Sequence, residues 1–156
     1  MSRQSALRNR GCLSLLLVGL ITSAANAQVM PTTKAGFYQT GERFAECSAY
    51  FAHVAQFARD GGRPKNATAV EEVERRWRIA GLFLLTEGLD QSRKGEAQEL
   101  FANLQAAKVD QLRASRGLPP EAFVKIFREY QDDCVPWADL QESISTATPS
   151  GPPTER

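Results

Sequence analysis

The chain has 156 residues, of which 42% are hydrophobic and 24% charged, and its formal net charge is +1. That length suits one domain and not comfortably two. Near-balanced charge gives no general pull toward nucleic acid or an anionic membrane, so neither is expected as a partner.

Residues 1–27 read as a secretory signal. Arg3, Arg8 and Arg10 make a basic start, residues 13–21 an apolar stretch, and Ala25-Asn26-Ala27 an A-x-A cleavage site. The apolar run is about half the ~20 residues that span a bilayer, so cleavage after Ala27 is expected rather than anchoring. No consecutive arginine pair precedes the run, which favours general secretion over the twin-arginine route. The expected destination is the periplasm or the medium, with no transmembrane segment in the mature chain. Loss of Arg3, Arg8 and Arg10 reduces the 19 Lys+Arg to 16 against 18 Asp+Glu, a formal charge of −2. Cys12 leaves with the signal, and Cys47 and Cys134 remain. Two cysteines in an exported chain predict a disulfide.

Residues 28–39 form a short polar segment with Pro31 and no period, expected to be a flexible lead. The first helix is expected from Gly41 to Arg59. Phe44, Cys47, Phe51, Val54 and Ala58 recur at spacings of three and four, a core-facing stripe. Ala45, Ala49 and Ala52 favour the helix intrinsically, and Gly61-Gly62 ends it. Thr68-Ala69-Val70-Glu71 has capping-box form, so the second helix is expected from about Thr68 to Glu87. Glu71–Arg75, Glu72–Arg76 and Glu74–Arg78 are spaced by four and predict a solvated face. The apolar line is Val70, Val73, Trp77, Ala80 and Leu84, with Ile79, Leu82, Phe83 and Leu85 adding apolar groups all round near the end.

Asp90 to Gly95 starts like a calcium loop, but Lys94 stands at a ligand position and Phe101 where a glutamate is required. The segment reads as a plain connection. A third helix is expected from Gly95 to Arg116, with Ala97, Leu100, Phe101, Leu104, Ala107 and Leu112 inward, and Gly117 ending it. Pro119 and Pro120 suit the opening of a fourth helix, where a missing N–H costs nothing. Phe123, Phe127, Tyr130 and Cys134 step by four, three and four along it. Pro136 should kink or restart it, and Trp137 and Leu140 continue the line. From Ser143 to Arg156, Thr, Ser, Pro and Gly dominate and predict a disordered tail.

Four helices joined by short connections, over residues 40–142, predict an all-α, small antiparallel four-helix bundle clamped by one disulfide. In an up-down bundle the first helix lies beside the fourth, which brings Cys47 to Cys134. The bridge would close a loop of about 86 residues and contribute roughly 4 kcal/mol.

Catalytic sets are not apparent. Cys47 and His53 are six residues apart on one helix, pointing about 120° apart and separated by about 9 Å along the axis. The chain has no C-x-x-C, no haem-attachment C-x-x-C-H, no phosphate-cradling glycine loop and a single histidine. No cofactor and no metal site are expected. Glu46, Tyr50 and His53 share one helical edge and form the one possible polar site, able in principle to do acid–base work; as a plain border between core and water they need no function. The strip of Ala45, Ala49 and Ala52, with Gln56, would let another helix approach closely and is a possible interface. The function expected from the sequence is non-enzymatic binding of another envelope or secreted protein. The alternative is a carrier or sensor for a small apolar ligand held between helices, lined by Phe83, Phe101, Phe123 and Phe127.

Overall fold

The computed structural model describes residues 28–115 and 119–148. The expected signal segment, Gly117 and the last eight residues lie outside this range, as does the side chain of Phe123. Among the described residues the regular structure is all α-helix and 3-10 turn, with no strand. Helix α1 is Lys34–Asp60, α2 is Pro64–Gly88 and α3 is Ala97–Ala114, preceded by a 3-10 turn at Gln91–Glu96. The fourth expected helix is divided: α4 is Pro120–Cys134, a 3-10 turn covers Val135–Trp137, and α5 is Ala138–Ala147. Pro136 lacks the N–H that a continuous helix would use there, which accounts for the break. Among the described residues no helix is long and apolar enough to cross a membrane.

Three boundaries differ from the sequence expectations. Helix α1 starts at Lys34, inside the expected lead, because the Thr33 hydroxyl accepts a hydrogen bond from Gly36 N and caps it. Its added turns carry Phe37 and Tyr38 into the core, and neither belongs to the periodic stripe. Helix α2 starts at Pro64, which takes the first-turn position. Thr68 is therefore inside the helix, donating to the Pro64 carbonyl at 3.2 Å, and does not cap. Helix α5 continues through the Ser/Thr-rich stretch to Ala147. Ile144 follows Leu140 by four and both are buried, while the Thr146 and Thr148 hydroxyls bond back to the Glu142 and Ile144 carbonyls. Two apolar anchors and returning hydroxyls outweigh a composition that suggests disorder.

Helices α1 and α2 pack along their length as a hairpin. The pairs Tyr38–Gly88, Gly41–Leu85, Ser48–Glu74 and Arg59–Glu71 descend α2 as they ascend α1. The turn between them uses Gly62 at φ 71°, a left-handed conformation that glycine takes without steric penalty. Near the other end the two backbones nearly touch: a Cβ on Gly88 would lie 2.5 Å from the Tyr38 backbone nitrogen, and one on Gly41 would lie 2.9 Å from that of Leu85.

Helix α1 also touches α3 and α4, and α5 packs on α2. It is consequently buried on more than its apolar stripe, with Thr40, Gly41, Ala45, Ser48, Ala49 and His53 enclosed as well. Two apolar clusters result. The larger is built on Phe44 and Trp77, whose ring centroids are 4.9 Å apart edge-to-face, and takes in Phe51, Trp137, Leu140 and Ile144. The smaller joins Ala45, Leu85, Leu89, Ala97 and Phe101.

Cys47 and Cys134 are disulfide-bonded, with Cα atoms 5.8 Å apart. One turn away, Tyr130 stacks on Tyr50 at 4.2 Å, so α4 is held to α1 by a bridge and an aromatic pair side by side.

Candidate functional site

Of the edge of Glu46, Tyr50 and His53, Tyr50 and His53 line one hollow and Glu46 borders another. Glu46 is exposed and borders a polar depression with Arg43 and Trp137. The Arg43 guanidinium lies 5.9 Å from the Trp137 ring and 3.9 Å from Asp133. Tyr50 is covered by Tyr130 and Phe127, and burial pushes its phenol up to about 12. The same cause, with the Glu46 carboxylate second, raises Tyr130. Neither phenol is suited to giving up a proton near neutral pH. His53 is buried in the wall between two hollows that flank α1.

The first hollow is a polar cleft of about 440 Å³ between α1, α2 and α3. At its floor sits a hydrogen-bonded set drawn from all three helices. Ser48 donates to Glu74 Oε1 at 2.9 Å, and Gln105 Nε2 donates to Ser48 Oγ and to Glu74 Oε1, both at 2.8 Å. Arg78 donates to the other oxygen, Glu74 Oε2, at 3.1 Å. Glu74 is only 8% exposed, which such a charge tolerates because it is paired and hydrogen-bonded. At the rim Arg59 pairs with Glu71 and Arg113 lies 3.4 Å from Asp110.

The expected solvated face of α2 is exposed or half-exposed except at Glu74. Glu72–Arg76 and Glu74–Arg78 do pair, but Arg75 turns to Glu72, leaving Glu71 to Arg59 across the hairpin. Glu74 faces inward because α3 lies over it, which spacing along α2 alone cannot report.

The alanine strip is divided by the same packing. Ala45 and Ala49 are fully enclosed, Ala45 against Leu85 and Phe101, so they seat elements of this chain. Ala52 and Gln56 are half-buried and line the polar cleft.

The second hollow is apolar and about 170 Å³, on the opposite flank of α1 beside α4. Tyr50, Val54, Phe57, Leu112, Ile126 and Phe127 line it. Phe57 is 57% exposed and Phe127 37% exposed, so the hollow opens onto an aromatic surface. Of the four phenylalanines expected to line one cavity, Phe127 does so. Phe101 is sealed against Gly81, and Phe83 is exposed on α2. Phe57 was not among the expected residues, yet it follows His53 by four and extends the edge of Glu46, Tyr50 and His53. That spacing was the available signal.

Among the described residues no group of three or more His, Cys, Asp or Glu is placed to hold a metal ion. No family model, curated protein or solved structure matches the chain.

Proposed function

We propose that the protein is exported after cleavage following Ala27 and acts by binding another envelope or secreted protein, without catalysis. The observation that carries this reading is the open apolar hollow at the α1–α4 seam. Phe57 and Phe127 stand at its mouth with Val54 and Ile126 behind them. Aromatic side chains around a pocket are the usual anchor points of protein interfaces, where one inserted side chain from a partner supplies much of the affinity.

The arrangement we propose is an antiparallel up-down bundle with α1 beside α4. The hairpin of α1 and α2 supports it, as does the Cys47–Cys134 bridge. The rigid clamp would then fix the walls of the hollow on both helices.

Affinity capture from envelope extract tests this function. Wild-type protein should recover a discrete partner that Phe57→Asp protein loses. Equal recovery by both proteins, or none by either, contradicts it. A second reading has its own support: at about 170 Å³ the hollow matches the roughly 150 Å³ apolar cavities that hold a benzene-sized ligand. Native mass spectrometry of the exported protein separates the two, because a carrier would arrive with a small molecule bound.

A further inference from the structure

We propose that the polar cleft between α1, α2 and α3 is a second binding site, one that takes a free α-amino acid. The cleft lies on the other flank of α1 from the apolar hollow, so it stands or fails apart from the protein-binding role.

Its size, about 440 Å³, lies within the range of small-molecule sites. The space exists because small side chains face each other there: Ala52 and Ala55 on α1 against Ala102 and Ala106 on α3. The alanines make an apolar patch suited to a ligand side chain. The charged groups decide the class of ligand. Arg59 and Arg113 come from two different helices, and Glu71, Glu74 and Asp110 supply the opposite sign. A simple anion would face three carboxylates, and a simple cation two guanidinium groups. A molecule carrying one ammonium and one carboxylate can satisfy both.

The rim and floor differ in a way that suits capture. The rim pair Arg113–Asp110 is largely exposed, and pairs of that kind contribute little and open readily, whereas Arg59–Glu71 is half-buried. Glu74, by contrast, is fixed by hydrogen bonds from α1, α2 and α3. Those bonds use three of the roughly four acceptor positions of a carboxylate, so one is left for an ammonium N–H. Apolar side chains at these positions would join the three helices at least as well. A buried carboxylate locked in one geometry has instead the form of a preorganised recognition group.

Calorimetric titration of the exported protein tests the assignment, using each of the twenty standard amino acids, putrescine as a diamine and succinate as a dicarboxylate. At least one amino acid should bind with a Kd below about 1 mM. Arg113→Ala should weaken that binding at least tenfold. Ala106→Phe, at an exposed position where the helix tolerates bulk, should fill the cleft and abolish it with the circular dichroism unchanged. Glu74→Gln should weaken it with hydrogen bonding largely kept. Binding of putrescine or succinate as tight as the best amino acid would overturn the proposal. So would no binding by any amino acid, or amino-acid binding that Ala106→Phe leaves intact.

Discussion

Replacing Cys47 and Cys134 together by alanine should lower the melting temperature by roughly 15–20 °C and leave the helical content intact. The bridge spans 87 positions, and the chain-entropy relation for a loop of that length gives about 4.6 kcal/mol. Unfolding entropy of about 2.1 cal/mol/K per residue, over roughly 120 ordered residues, comes to about 0.25 kcal/mol/K. The quotient is a shift of about 18 °C. Alanine is the right replacement because both sulfurs are buried and a hydroxyl there would add a polar burial cost. The helices should persist because the Phe44–Trp77 cluster is built mainly by α1, α2 and α5. The loss should be felt locally first: without the bridge, α4 keeps the Tyr50 contacts of Tyr130 and Phe127 as its main aromatic hold on α1. Scanning calorimetry gives the shift, and hydrogen exchange should show α4 amides losing protection before those of α2. A shift under about 5 °C, or uniform loss of protection, would refute the reasoning that the bridge secures α4.

Three further outcomes follow from the packing. Gly88→Ala should destabilise by about 1–2 kcal/mol, since overpacking against the Tyr38 backbone exceeds the helical gain of alanine, whereas Gly95→Ala, with open space around it, should be neutral or slightly stabilising in chemical denaturation. Glu74→Ala should cost about 2–3 kcal/mol, because it leaves the buried Ser48 hydroxyl without its acceptor and Gln105 with Ser48 alone; urea titration against Glu72→Ala, a half-exposed control, measures the difference. Of the three tyrosines, Tyr50 should ionise only near pH 12 in the fold, and Tyr130 is raised as well. Since the neutral phenols are favoured in the fold, their contribution is complete below the ordinary value near 10 and is lost as pH rises from there toward 12. Ultraviolet difference titration at 295 nm should show late, cooperative tyrosine ionisation, and an ordinary curve for all three would exclude this.

Periodicity made α2, α3 and the opening of α4 legible, because Trp77, Ala80 and Leu84 and then Ala97, Phe101 and Leu112 are buried as spaced, although Val73 and Ala107 on the same lines are exposed, and Pro119-Pro120 marks the start of the last. The cysteine pair was legible from the expected loss of Cys12, which leaves two cysteines to pair. What periodicity could not convey is how many neighbours α1 has. The apolar stripe leaves Ala45 and Ala49 on the side away from it, yet they are enclosed, as is Ser48, because α3 covers that side. The same blind spot hid the link of Ser48, Glu74 and Gln105, whose members come from three helices far apart in sequence. Glu74 looked like one half of an ordinary surface pair with Arg78, and that pair does exist. The Thr33 cap and the Ile144 anchor were missed for a different reason. Each is a single residue at the margin of a polar stretch, where composition speaks against order and one contact decides it.

The claim that the protein works through the seam of α1 and α4 is tested most directly by site-specific photo-crosslinking in the native host. A photoreactive amino acid placed at Phe57, and separately at Phe127, should yield the same discrete cross-linked protein, and one placed at the exposed Val73 on α2 should not. No protein adduct at either aromatic position, or the same adduct at all three, would contradict the account.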